Sequence, residues 1–135
     1  MNLSARAQFT PRDAGRFIAA RITPGVIAGV TAASDYAMNA AKAIVPVDTG
    51  ALRDSITAEV APQTSSVFGR ISAGMSYASY VEYGTGRRGD PSAPYPHVET
   101  WPGMVAQPFM RPALDETRQL IRDLMGSQIS LALGS

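Results

Sequence analysis

Over residues 26–45 the apolar side chains return every three or four positions: Val26, Ile27, Val30, Ala33, Ala37, Met38, Ala41, Ile44 and Val45, with Pro46 closing the run. That period belongs to an α-helix with one buried face, and no strand or loop can satisfy it. Thr23 is a good N-cap and Pro24 suits the first helical position, where its missing N–H costs nothing. The sequence therefore predicts a helix over residues 24–45, roughly 33 Å long at ~1.5 Å per residue. Its face is mostly small, so a neighbouring element can approach closely. Upstream, residues 11–22 are weakly helical, with Phe17, Ile18 and Ile22 on one side. Residues 1–10 are polar and unpatterned and read as a flexible arm.

Downstream of Pro46 the pattern changes. Val47-Asp48-Thr49-Gly50 is a turn into a short helical segment at 51–54, whose free N–H groups Asp48 or Thr49 can cap. Ile56, Ala58 and Val60 alternate as a half-buried strand does, and Val67, Gly69, Ile71 and Ala73 alternate again after a loop at 61–66. A β-hairpin follows from that. Residues 75–83 fit a strand or a short helix; the helix is preferred, with Ser76 as cap, Tyr77 against Val81 and Gly84 as the stop. Residues 84–107 hold Pro91, Pro94, Pro96 and Pro102 with several Gly, which rules out long regular structure. A last helix is predicted from Pro112, with Asp115 and Glu116 in its first turn and Gly126 ending it. Residues 127–135 carry Ile129, Leu131 and Leu133 as an apolar tail that docks on a neighbour or frays. The expected whole is one α+β domain of 135 residues, with an arm at 1–10, a long N-terminal helix, a small antiparallel sheet, a long loop at 86–107, a C-terminal helix and a tail at 127–135.

Composition narrows the function. With 12 basic and 11 acidic residues the formal net charge is +1, which argues against a protein whose main task is gripping nucleic acid. All the basic residues but Lys42 are Arg; coding bias is the plain reading, a preference for bidentate interface contacts the other. There is no cysteine, so disulfide, thiolate and zinc–thiolate chemistry are excluded. No stretch reaches the ~18 apolar residues of a membrane span.

Four features invite a chemical reading, and each has a plainer one. Gly84-Thr85-Gly86-Arg87-Arg88-Gly89 matches GxGxxG, yet Asp90-Pro91-Ser92-Ala93-Pro94 follows and cannot open the helix that a phosphate site needs. His97, the only histidine, sits in a Pro-rich segment beside Glu99; a solvated loop residue is favoured over a catalytic one. Glu82 lies in a Tyr-rich stretch with no second carboxylate beside it. It is expected to accept backbone N–H bonds or pair with an Arg, since a buried charge needs a partner. Arg87 and Arg88 form a small basic patch able to touch DNA phosphates or a neighbouring subunit. No catalytic residue, cofactor or metal site is expected, and the chain is not read as an enzyme.

Three blocks stand in order: Val45-Pro46-Val47-Asp48-Thr49-Gly50-Ala51-Leu52-Arg53-Asp54-Ser55-Ile56, then Tyr77-Ala78 with Val81-Glu82-Tyr83-Gly84-Thr85, then Ala106-Gln107-Pro108-Phe109-Met110-Arg111-Pro112-Ala113-Leu114. Together they resemble the tail-component family of long-tailed bacteriophages, a group of neck, head–tail joining and minor tail proteins. The resemblance implies a structural virion protein that forms a six-fold or twelve-fold ring at the head–tail junction. It implies contacts with copies of itself, with connector or head-completion proteins, and with tail-tube or terminator proteins. Tail terminator and channel-lining DNA contact are the alternatives. The subunit would be made in the bacterial host cytoplasm. The motif residues it singles out are Asp48, Thr49, Gly50, Leu52, Tyr77, Glu82, Gly84, Thr85, Gln107, Pro108, Phe109 and Pro112. Arg87, Arg88 and Trp101 are candidates for an interface or a DNA channel.

Overall fold

A computed structural model describes residues 1–8, 16–62 and 66–132. The helix predicted over residues 24–45 is present but begins earlier: α1 spans Arg16–Ile44, with Pro24 inside it. Thr23-Pro24 is therefore not a helix start, and the weakly helical stretch before it joins the same helix from Arg16 onward. An interior proline removes one backbone donor and crowds the preceding turn, at ~3 kcal/mol. The stripe that follows offsets this cost, because Val26, Val30, Ala33, Ala37 and Ala41 are all buried.

Three antiparallel strands form one sheet in the order β1-β3-β2: β1 is Asn2–Gln8, β2 is Ile56–Pro62 and β3 is Ser66–Ala73. The hairpin read from the sequence is β2–β3, in register from Ile56↔Ala73 to Pro62↔Val67. Strand β1 corrects the expectation of a flexible arm, whose residues 9–10 lie outside the described residues. Its sequence does alternate, Leu3, Ala5 and Ala7 against Asn2, Ser4, Arg6 and Gln8, but with two alanines in the apolar set the signal is weak. Leu3 packs against the main core. Backbone pairing along β3, from Asn2↔Ser72 to Gln8↔Ser66, completes the strand. On the outer face Glu59 and Arg70 are direct cross-strand partners, their side chains 3.5 Å apart.

Two short helices and one long one complete the chain: α2 at Ala51–Asp54, α3 at Ala78–Tyr83 and α4 at Met110–Ala132. The ambiguous stretch before Gly84 is thus a helix, but Tyr77 and not Ser76 occupies its N-cap, with no side-chain cap bond. Helix α4 starts two residues before Pro112 and runs through Gly126 to Ala132. The predicted tail is helical to that point, and residues 133–135 lie outside the described residues. A glycine inside a helix costs only ~1 kcal/mol, too little to end one that is otherwise favoured.

Helices α1 and α4 pack on each other, and α1 also covers the inner face of β2 and β3. The main core joins Ala37, Ala41 and Val45 of α1 to Leu52, Ile56, Ile71, Ala78, Phe109, Met110 and Ala113. A smaller cluster holds Val26, Val30 and Val67. Helix and sheet come close because both surfaces are small: a Cβ added at Gly69 would stand 2.4 Å from the Ser34 hydroxyl.

Candidate functional site

The turn after α1 is built by two residues with different jobs. Gly50, at φ 86°, is the N-cap of α2, and Thr49 Oγ1 accepts the Ala51 N–H at 3.3 Å. Leu52 points into the core. Ser55 ties the turn to the sheet, donating its hydroxyl to the Leu52 carbonyl at 2.7 Å and accepting the Gly74 N–H at 3.2 Å. Of the two capping candidates, then, Thr49 serves and Asp48 does not. Asp48 is exposed and makes no hydrogen bond or ion pair among the described residues.

Glu82 organises the opposite side. Its side chain is fully buried, and its two oxygens take the first free N–H groups of α4. Oε2 accepts from the backbone of Phe109 and Met110 at 2.7 and 2.9 Å, and Oε1 accepts from the backbone N and the Nε of Arg111 at 3.0 and 2.9 Å. A carboxylate here satisfies groups that a helix start leaves unpaired and lies favourably on the helix dipole. Arg111 Nη1 continues to Asp90 at 3.1 Å, and the guanidinium lies 4.3 Å from the centre of the Tyr83 ring. Both roles offered by the sequence, acceptor of backbone N–H and partner of an Arg, meet in this one side chain. Asp90 is held low, at about 2 against an ordinary 3.8, chiefly by hydrogen bonds from the side chain and backbone of Ser92 and then by Arg111. For Arg111, burial works against the charge, but the bonds to Glu82 and Asp90 outweigh it and raise its pKa.

The long loop is fastened along its own length. Thr85 and Met104 exchange backbone bonds at 2.8 and 3.0 Å, Arg87 N–H donates to the Trp101 carbonyl at 2.7 Å, and Arg88 N–H donates to Pro102 at 3.2 Å. The Tyr95 hydroxyl donates to the carbonyls of Ser79 and Gly84. Such close strands of backbone leave no space for side chains at the crossing: a Cβ on Gly103, at φ 61°, would stand 2.0 Å from the Thr85 carbonyl oxygen. Within the GxGxxG match, Gly86–Arg88 is a single 3-10 turn, and the next helix of more than one turn is α4. In Arg88-Gly89-Asp90 the Asp is engaged with Ser92 and Arg111. His97 Nε2 pairs with Glu99 at 3.0 Å.

Between these parts lies an open cleft of about 520 Å³. It is lined by Pro46, Val47, Asp48, Thr49, Gly50 and Leu52 of the first block, Tyr77 and Val81 of the second, Met104 of the long loop and Gln107 of the third block. Gln107 is fixed by its N–H bond to the Val81 carbonyl at 2.8 Å. All three sequence blocks therefore meet around one cavity. Val47 is 57% exposed, Tyr77 40% and Met104 39%, so apolar surface faces outward there. Glu82 and Phe109 belong to the anchor of α4, with Pro112 in its first turn, Gly84 packs against the backbone of residues 104–106, and Pro108 is exposed. Thr85 closes the base of the arm, while Arg87, Arg88 and Trp101 stand together along it. Sequence reasoning did not single out Arg111, Asp90 or Met104; an Arg beside Pro112 at a helix start was the available signal for the first.

This is a small α+β domain with an apolar cleft, and Glu82, the buried carboxylate among the described residues, is spent on a helix start. Residues 26–84 carry the mark of a phage tail-component family: they match the family model described as "Bacteriophage HK97-gp10, putative tail-component". That segment, somewhat under half of the chain, contains α1, the Asp48-Thr49-Gly50 turn, the hairpin and α3, and supports the resemblance seen in the first two blocks. The third block lies beyond it. No curated protein and no solved structure matches the chain. Among the described residues no group of three or more His, Asp or Glu is placed to hold a metal ion, and no helix is long and apolar enough to cross a membrane.

Proposed function

We propose that this chain is a structural virion subunit that assembles into a ring at the head–tail junction of a long-tailed bacteriophage. The family match over residues 26–84 carries the reading, and the cleft in which the three blocks meet gives it a surface to work through. Ring contacts would run between copies, six or twelve of them, with connector or head-completion proteins on one side and tail-tube or terminator proteins on the other. Exposed Val47 and Tyr77, which line the same cleft, suit such contacts, since apolar surface gathered on a small protein marks a place where another molecule sits. A post at the top of the tail tube, as terminator, uses the same surfaces.

Electron microscopy of the purified chain and of virions carrying an antibody label on it tests the proposal. Closed rings with the label at the junction are expected; label elsewhere on the virion, or dispersed monomers in the assembled particle, would remove it. A second reading, contact with DNA passing through the ring, is favoured by the exposed neighbours Arg87 and Arg88. It predicts duplex binding that weakens steeply with salt, and the near-zero net charge makes it secondary.

A further inference from the structure

Resting on the ring reading, we propose that the cleft beside Asp48 receives the Arg87–Trp101 edge of the arm from a second copy of the chain. Asp48 stands on the cleft wall, exposed, with no partner among the described residues and no capping duty. Its carboxylate is the one charged group among the residues that line the cleft. On the arm, Arg87 is exposed, and its side chain makes no hydrogen bond or ion pair among the described residues. Arg88, in contrast, already donates Nε to the Pro102 carbonyl at 3.3 Å. The two free charges do not pair within one chain.

Apolar chemistry matches in the same way. The cleft offers Val47 and Tyr77, and the arm offers Trp101, 54% exposed. The backbone bond from Arg87 to the Trp101 carbonyl, at 2.7 Å, fixes the main chains of the two residues beside each other. An aromatic anchor flanked by an Arg is the usual composition of an interface hot spot. The bonds that fasten the arm mean little ordering entropy remains to be lost on docking. Each copy then gives one surface and receives the other, a head-to-tail contact that closes into a ring when its rotation allows.

Sedimentation velocity of the full chain, across concentration and salt, tests this with Asp48→Arg, Arg87→Asp, Trp101→Ala and the Asp48→Arg/Arg87→Asp double variant. Asp48→Asn serves as a milder form, and thermal unfolding checks that each variant folds. Each single reversal, and Trp101→Ala, is expected to weaken self-association by ~10-fold or more, and the double reversal to recover most of it. Single variants that assemble like the unchanged chain, or a double variant no better than the singles, would overturn the contact while leaving the ring intact. Loss of duplex-DNA binding by Arg87→Asp with assembly untouched would assign the arm to DNA and overturn it too. An unchanged chain that stays monomeric at every concentration would sink the ring reading itself.

Discussion

Glu82 and Arg111 meet twice through one oxygen: Oε1 accepts both the backbone N–H of Arg111, at 3.0 Å, and its side-chain Nε, at 2.9 Å. The same residue thus opens α4 and neutralises the buried carboxylate that holds α4 in place. Since Glu82 lies in α3 and Arg111 in the first turn of α4, this contact joins the two halves of the motif set across the long loop.

Replacing Glu82 by Ala would leave the Phe109, Met110 and Arg111 backbone N–H groups without their acceptor and the Arg111 side chain with Asp90 as its remaining carboxylate partner. Breaking a buried ion pair from one side costs ~3–5 kcal/mol. The Arg111 side chain is 34% exposed and regains some hydration, so about 3 kcal/mol is expected. Urea unfolding should show the lowered midpoint, with Glu82→Gln falling between Ala and the native residue because one acceptor oxygen remains. An unchanged midpoint for Glu82→Ala would contradict the anchor.

Asp90 supplies a pH signature. Its folded pKa is about 2, below its ordinary 3.8, so the fold favours the charged form. The stability it contributes is present above about pH 4 and is lost as pH falls through about 2. Comparing the chain with Asp90→Asn by thermal unfolding should give a gap that is constant near neutrality, narrows across that window and closes below it. A gap that survives unchanged into stronger acid would mean the Asp90 carboxylate is not its source.

Gly103→Ala should open the arm while sparing the core. Its φ of 61° and the 2.0 Å approach to the Thr85 oxygen leave no room for a methyl group. A left-handed backbone alone costs a non-glycine residue about 1–2 kcal/mol. Hydrogen exchange at the Thr85 and Met104 amides should accelerate by ~10-fold or more, with amides of α1 little affected. Equal acceleration in α1 would show that the arm and the core open as one unit.

Gly126→Ala should stabilise the chain. Gly126 sits within α4, and an added Cβ meets nothing within 4 Å. The gain expected from reduced unfolded-state freedom is about 0.5–1 kcal/mol, visible as a raised melting temperature. A fall in that temperature would place Gly126 against a surface of the chain that the fold does not show.

Elements whose signal is local were legible in the sequence. The Val26, Val30, Ala33, Ala37 and Ala41 stripe gave α1, and the Ile56/Ala58/Val60 and Val67/Gly69/Ile71/Ala73 alternations gave the hairpin. Boundary signals misled where tertiary contacts outweighed them: Pro24 reads as a helix start yet lies inside α1, and Gly126 reads as a stop yet lies inside α4. Strand β1 was missed because its alternation rests on Leu3 and two alanines, a weak signal, and its partners at 66–72 are far along the chain. At the site, Thr49 as a cap and Glu82 as an acceptor were readable from residue chemistry. The cleft was not, because residues 46–52, 77–81 and 104–107 come together only through packing.

The order β1-β3-β2 also bears on how the chain is made. A ribosome delivers residues 2–8 first and their partners at 66–72 only later, a delay on the order of seconds at ~5–20 residues per second. Through that interval β1 has no strand to pair with, and neighbouring ribosomes on one message expose the same unpaired segment. Slower translation between residues 8 and 66 should therefore divert more newborn chains into pairing with one another, before the sheet of any one copy is complete.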